Sequence, residues 1–296
     1  MAIRVLSDKM KVLVDPAGGV ERLATGFLFT EGPLWNPEQQ CLLFSDMPGN
    51  VMRRWSETDG VREIRRPSAM SNGLTYDSQL RLIACEHETR RVTRTETDGS
   101  SQVVADAYDG KPLNSPNDVV VRSDGTIYFT DPNYGLQPFF GIEREQDLPY
   151  QGVYRVRPDG TIDLVADDFA EPNGLCFSPD ESLLYINDTE RMQIRVFHVD
   201  SEGGLSRGSL FFTEEGEGGA PDGMKLDEHG NVYCTGPGGI WVFSREAEHL
   251  GVIEVPEQTA NLNWGGPRWD TLYITASTSI YRLPMRVRGN RLTYMA

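Results

Sequence analysis

Apolar and polar residues alternate along this chain in short runs separated by tight polar turns. That is the period-2 pattern of half-buried β-strands, not the 3.6-residue pattern of helices. The runs are also related to one another. The stretch FTEGPLW (29–35) sets an acid, Glu31, at the start of an apolar alternation. An oxygen-bearing side chain leads a similar run in NGLTY (72–76), NDVVV (117–121), NGLCF (173–177), DGMKL (222–226) and, more loosely, NLNWG (261–265). Each is followed by a polar turn, such as NPEQQ, RSDG, SPDES or DEHG, and then by a second run: LLFSD, LIACE, IYFTD, LYIND, VYCTG or LYITA. From the first residue of each unit to Leu43, Ile83, Tyr128, Tyr185, Tyr233 and Tyr273 the separations are 12, 11, 11, 12, 11 and 12 residues. Unrelated strands would not keep that register. A third run follows in every unit, and five units add a fourth.

Four short antiparallel strands recurring about every 40 to 55 residues describe a propeller blade, so the chain is expected to be all-β, a six-bladed β-propeller occupying residues 1–296 as a single domain. The sixth unit lacks its fourth strand. GVERLAT (19–25) reads as such an outer strand with no local partner, and pairing it with the last blade closes the ring and removes exposed edges. A β-sandwich also has short strands and regular turns, but it need not repeat a polar residue at a fixed point. Parallel α/β is disfavoured because amphipathic helical stretches between the strands are nearly absent.

Composition fits this picture. Of 296 residues, 30 are glycine and 18 proline, which suits a chain rich in tight turns. The formal charge of −16 repels polyanions, and Lys and Arg form no patch longer than pairs such as Arg53 and Arg54. Nucleic acid and anionic membranes are therefore not expected partners, whereas a cation or a neutral small molecule is. No apolar run approaches the roughly 20 residues needed to cross a bilayer, and no signal-peptide pattern opens the sequence, so a cytoplasmic location is expected. The sequence does not indicate an oligomeric state. Cys41, Cys85, Cys176 and Cys234 lie far apart in apolar runs without CxxC spacing and are expected to be free, buried thiols. His87, His198, His229 and His249 show no metal-ligand spacing.

In a propeller the first strand of each blade lines a central tunnel, so equivalent residues converge. Glu31, Asn72, Asn117, Asn173, Asp222 and Asn261 are expected at one tunnel mouth. The ends of the second strands, with Asp46, Glu86 and His87, Asp131 and Asp188, reach the same face. Taken singly, Asn-Gly and Asp-Gly are favoured turn dipeptides. Taken together with Glu31, they crowd carboxylates and amides at one point, which calls for a cation. Oxygen-only ligands suit a hard ion. Calcium is the expected one, with magnesium, manganese or zinc as alternatives, and Glu31 with Asp222 would balance its charge.

The motifs FTEGPLW (29–35), CEHETRRVTR (85–94), SPNDVVVRSDGTIYFTDPNYG (115–135), EPNGLCFSPDESLLYIND (171–188), PDGMKLDEHGNVY (221–233) and LYIT (272–275) together resemble the gluconolactonase family, which includes the regucalcin (senescence marker protein 30) sugar lactonases. The resemblance runs across all six units. It implies that Glu31, Asn173 and Asp222 are metal ligands, that Asn117 completes the shell and contacts substrate, and that the activity is hydrolysis of a sugar lactone such as glucono-1,5-lactone. The chain departs from the animal members at Ser115, where they carry a substrate-binding arginine. Asn72 and His87 are the candidates for binding the sugar instead.

In such a site the ion polarises the lactone carbonyl and Asp222 is the candidate general base. If Asp222 is only a ligand, Asp131 or Glu31 takes the proton. His87 is expected to bind a sugar hydroxyl or shuttle a proton, and Arg90 and Arg91 are assigned no role. The insertion between Asp131 and Gly152 is expected to roof the site with Tyr134 nearest the substrate; an oligomer contact is the competing reading. Two other functions compete with the lactonase: an esterase or phosphotriesterase on the same scaffold, and a non-catalytic calcium-binding propeller.

Overall fold

The structure, a computed structural model, describes residues 3–292 and consists almost wholly of strands. Six antiparallel four-stranded sheets follow in chain order, each wound outward from an inner strand, and together they form a six-bladed β-propeller. The inner strands are Thr30–Asn36, Ser71–Tyr76, Val119–Val121, Pro172–Phe177, Met224–Leu226 and Thr259–Gly265. Glu21–Thr25 pairs with Ser279–Pro284 and completes the sixth blade, as the unpartnered run at 19–25 predicts. A second N-terminal strand, Ile3–Val5, was not anticipated; it pairs with His249–Glu254 as a fifth strand of blade five. No helix among the described residues is long and apolar enough to cross a membrane.

The core lies between the blades. Six apolar clusters each fill the space between two neighbours, for instance Leu34, Cys41 and Leu43 against Leu74 and Tyr76 between blades one and two. Trp35, Leu42 and Phe44 meet Tyr273 and Ile280 where blade one meets blade six. Alternation along each strand supplies both faces, because neighbouring side chains point into adjacent clusters. All four cysteines are buried in these layers and free. In the cluster between blades five and six, Met10 and Leu13 from the short helix Met10–Leu13 pack with Ile3, Tyr233 and Trp264, anchoring the N-terminal segment.

The recurring glycine after the polar starter has a different cause from turn chemistry. Among Gly32, Gly73, Gly174 and Gly223, only Gly32 has left-handed backbone, at φ 52°. What the four share is the next blade. A Cβ on Gly174 would sit 2.1 Å from the Asp222 carbonyl oxygen, and one on Gly32 2.1 Å from that of Asn72. Both obstacles are backbone and have nowhere to move. Gly174→Ala is therefore expected to cost at least about 1–3 kcal/mol of stability, the range for overpacking a tight core. Urea denaturation will check this, and an unchanged midpoint would contradict the close approach.

Candidate functional site

The six polar starters are directed by backbone irregularities at the head of each inner strand. In blades one, two and four the pairing with the second strand slips between Glu31 and Leu34, Ser71 and Leu74, and Pro172 and Leu175. Asn72 and Asn173 therefore lie in bulges, which re-aim side chains out of the alternating pattern, while Glu31 is the last paired residue before the bulge at Gly32 and Pro33. In blades three and five the pairing begins only at Val119 and Met224, just past Asn117 and Asp222.

Hydrogen bonds running from blade to blade hold these segments together. Ser45 Oγ donates to the Asn72 carbonyl (2.9 Å), Gly73 N to Asn117 (2.8 Å) and Thr130 Oγ1 to Asn173 (2.8 Å). Asn187 Nδ2 donates to the Asp222 carbonyl (2.6 Å) and Gly223 N to that of Ala260 (2.7 Å). Asn263 Nδ2 closes the circle onto Pro33 O (2.8 Å).

Glu31 is buried, and its Oε2 accepts from Gly32 N (2.9 Å) and Asn261 Nδ2 (3.1 Å). Asn261 thus serves as a support for Glu31. Burial pushes the Glu31 carboxyl above its usual range, Asp118 adds to the rise, and Lys225 opposes it. Asp222 is raised further, by burial first and then by the negative charge of Glu31 and Asp118, while the Asn173 amide favours its ionised form. The rise marks an acid pair short of positive charge.

Among the described residues, no three His, Cys, Asp or Glu side chains form a metal-holding group. The oxygen donors here are two acids plus amides, and several of the amide oxygens lack partners. Asn173 Nδ2 donates to Thr189 Oγ1 (3.1 Å), which leaves Asn173 Oδ1 buried without a hydrogen bond. Asn72 Oδ1 is likewise buried and unpartnered. A buried amide oxygen left open on Asn173, beside Asp222 and Glu31, suits a hard cation, so these three residues could hold one.

The insertion after Asp131 spans this mouth. Its 3-10 turn Tyr134–Leu136 places the Tyr134 hydroxyl where it donates to Glu171 Oε2 (2.9 Å) beside blade four. Further along, Phe140 packs edge-on against Phe29 of blade one, with ring centroids 5.3 Å apart. Burial and the charges of Glu171 and Asp222 raise the Tyr134 phenol far above its ordinary value, so it stays protonated. Phe140 O lies 2.8 Å from His87 Nδ1 and can only accept, so Nδ1 carries the proton and Nε2 accepts from Asn72 Nδ2 (3.3 Å). His87 is buried with both nitrogens engaged, which makes it a support for Asn72.

The second-strand acids do reach this face, but there they tie loops together. Asp46 accepts from Leu28 N and pairs with Arg53; Asp188 accepts from Ala170 N, Glu171 N and Arg191. Glu86 takes Arg65, Thr89 and Thr93. Asp131 accepts from Asn114 N (2.7 Å), and burial pushes it up to about 7. Arg90 is fixed inside, donating to the carbonyls of Pro112, Leu113 and Asn114. Ser115 is fully buried, bonded to Pro132 O and Gly135 N, so this position has no room for an arginine reaching toward substrate.

Three residues near the site carried no signal in the repeat pattern as first read. Thr189 orients Asn173, and Asp118 and Lys225 face one another across the tunnel with Nζ 3.7 Å from Oδ2. A lysine inside an inner strand and an acid where other blades have glycine were the available clues.

This fold has close counterparts. The family model described as "SMP-30/Gluconolactonase/LRE-like region" matches residues 29–278, and the chain belongs to that family. It is 33% identical to the gluconolactonase of Zymomonas mobilis over 97% of this chain and 87% of that one. It is 28% identical to the pentonolactonase of Haloferax volcanii over 83% of this chain and 81% of the other. Among solved structures, a gluconolactonase of Xanthomonas campestris superposes with a TM-score of 0.89 at 33% identity, covering 96% of this chain and 95% of its own.

The His87 geometry makes a pH prediction. Burial lowers this imidazole from 6.5 to about 4, so between those values the unfolded chain binds more protons than the folded one. Stability from this group is complete above pH 6.5 and is lost as pH falls toward 4. Wild type is expected to lose about 3 kcal/mol more than His87→Gln over that window. Urea denaturation at pH 7 and pH 4 measures the difference, and equal losses would contradict a neutral, buried His87.

Proposed function

We propose that this chain is a divalent-metal-dependent hydrolase that opens a sugar lactone, glucono-1,5-lactone or a close aldonolactone, to the aldonic acid. The observation that carries this reading is a charge imbalance: Glu31, Asp118 and Asp222 surround the tunnel with Lys225 as the one cation reaching them among the described residues. Three carboxylates and one ammonium leave two negative charges, which one divalent ion would neutralise. Calcium suits the set best, because it accepts a loose shell of oxygens drawn from separate strands. The lactone-hydrolysing relatives of Zymomonas and Haloferax support the substrate class.

When bound, such an ion supplies Lewis-acid polarisation of the lactone carbonyl and makes water more acidic. Glu31, Asn173 and Asp222 would hold it, with Asn117 beside them and toward the substrate. Asp222 receives the proton of the attacking water. The same carboxyl returns that proton to the ring oxygen as the C–O bond breaks, giving a hydroxyl and a carboxylic acid. Asn72 offers Oδ1 to a sugar hydroxyl and His87 holds its amide in that orientation. The Tyr134 hydroxyl, on the insertion that covers the mouth, faces the substrate and limits bulk water.

Glu31→Gln and Asp222→Asn are each expected to lower kcat/KM on glucono-1,5-lactone by at least about 100-fold while the β-rich circular dichroism spectrum is kept. Stripping the wild type with a chelator should abolish turnover, and reloading with calcium, magnesium, manganese or zinc should restore it to different extents. Full turnover by the stripped protein would refute the metal-dependent mechanism.

A further inference from the structure

Two positions break the six-fold pattern of the inner strands, and the two meet. Where the other blades carry Gly32, Gly73, Gly174, Gly223 and Leu262, blade three carries Asp118. Where the others carry the uncharged Leu34, Thr75, Val120, Cys176 and Asn263, blade five carries Lys225. Blades three and five are not neighbours, yet Lys225 Nζ lies 3.7 Å from Asp118 Oδ2. Both side chains are nearly enclosed, with 12% and 4% of their surface exposed. The ammonium donates to Met224 O (3.0 Å), and Asp118 Oδ1 accepts from Val119 N (2.9 Å). Asp118 Oδ2 makes no hydrogen bond, so the ammonium is its nearest compensation.

Such a pair adds little to stability, since removing two charges from water offsets most of their attraction. Its place in the fold gives it another use. Asp118 directly follows Asn117, and Lys225 lies three residues beyond Asp222, one layer down the tunnel from the mouth. Asp118 adds a negative field at Glu31 and Asp222, and the ammonium behind it counters that field at Glu31.

Building on the divalent-ion reading of the mouth, we propose that Lys225 is a positioning residue that acts as a built-in cation: with Asp118 it fixes the net charge of the site and thereby selects a doubly charged ion over a triply charged one. Coulomb energy scales with the ion's charge, so any change in the fixed charge favours or disfavours a trivalent ion more than a divalent one. Removing the ammonium leaves three negative charges facing the ion. Removing Asp118 instead leaves one.

The test is calorimetric titration of metal-free protein with calcium and with lanthanum, whose ions suit similar oxygen shells but differ in charge. Lys225→Met is expected to raise the lanthanum-to-calcium affinity ratio at least about tenfold over wild type. Asp118→Asn should move the ratio in the opposite direction, Lys225→Arg should leave it unchanged, and the charge-balanced double variant D118N/K225M should return it to near the wild-type value. A purely structural role would move none of these ratios in a charge-ordered way. Should Lys225→Met fail to fold, Asp118→Asn and the double variant decide the matter. Ratios independent of the fixed charge would overturn the proposal while leaving the metal site intact. Absence of binding of calcium, magnesium, manganese and zinc alike by the wild type would remove the metal reading itself.

Discussion

The inner strands of this propeller stand so close at the tunnel mouth that one blade's backbone carbonyl fills the space a Cβ would need on its neighbour. At three of the six starts the result is a glycine behind the polar residue, at Gly32 against Asn72, Gly73 against Asn117 and Gly174 against Asp222. Close contact also brings donors within reach, and the carbonyls of Asn72, Asn117, Asn173 and Asp222 are each held by the blade before. Position around the axis is thus fixed where backbone carbonyls of one blade accept from buried donors of the blade before, the side chains of Ser45, Thr130 and Asn187 and the backbone of Gly73. The bulges then turn Asn72 and Asn173 out of the alternating pattern, and the bulge beside Glu31 begins directly after it. Fixing first and turning second is how a ring of strands presents oxygens from remote parts of a chain to one point with little reorganisation.

Much of this was legible in the sequence because it is periodic. The constant separation from Glu31 to Leu43 and from Asn72 to Ile83 recorded a strand–turn–strand unit, and six such units determine the architecture. The unpartnered run at 19–25 was legible for the same reason, since a missing strand in one blade and an extra one elsewhere have a single solution. Ile3–Val5 was not, because three residues are too few to show alternation. The roles of individual polar side chains were also hidden. Asp46, Asp188 and Arg90 lie where pattern predicts, but what they bond to depends on loops that fold back from other parts of the chain. His87 is the sharpest case, because its partner is a backbone carbonyl 53 residues away, on the insertion.

Repetition supplies the frame, and the departures from it make the frame specific. Six equivalent starts could all have been asparagine, giving a polar but neutral mouth. Glutamate in blade one and aspartate in blade five concentrate charge on the side of the ring where blade six sets Asn261 between them. Asp118 and Lys225 then adjust that charge from beneath. Burial first, and then this unbalanced negative charge, holds the carboxyls of Glu31 and Asp222 above their usual range. Substituting either member of this asymmetric set changes the field without touching the packing between blades, which is carried by residues such as Leu34, Leu175 and Leu262 on separate positions.

The pairing of Glu21–Thr25 with Ser279–Pro284 has a consequence for how the molecule comes into being. During synthesis the first of these strands leaves the ribosome more than 250 residues ahead of its partner. Blades one to four can assemble in order of emergence, each from contiguous chain, but the ring stays open until translation is nearly finished. Until then the early strand is an unsatisfied edge, and its charged residues Glu21 and Arg22 help to keep it from joining the wrong sheet.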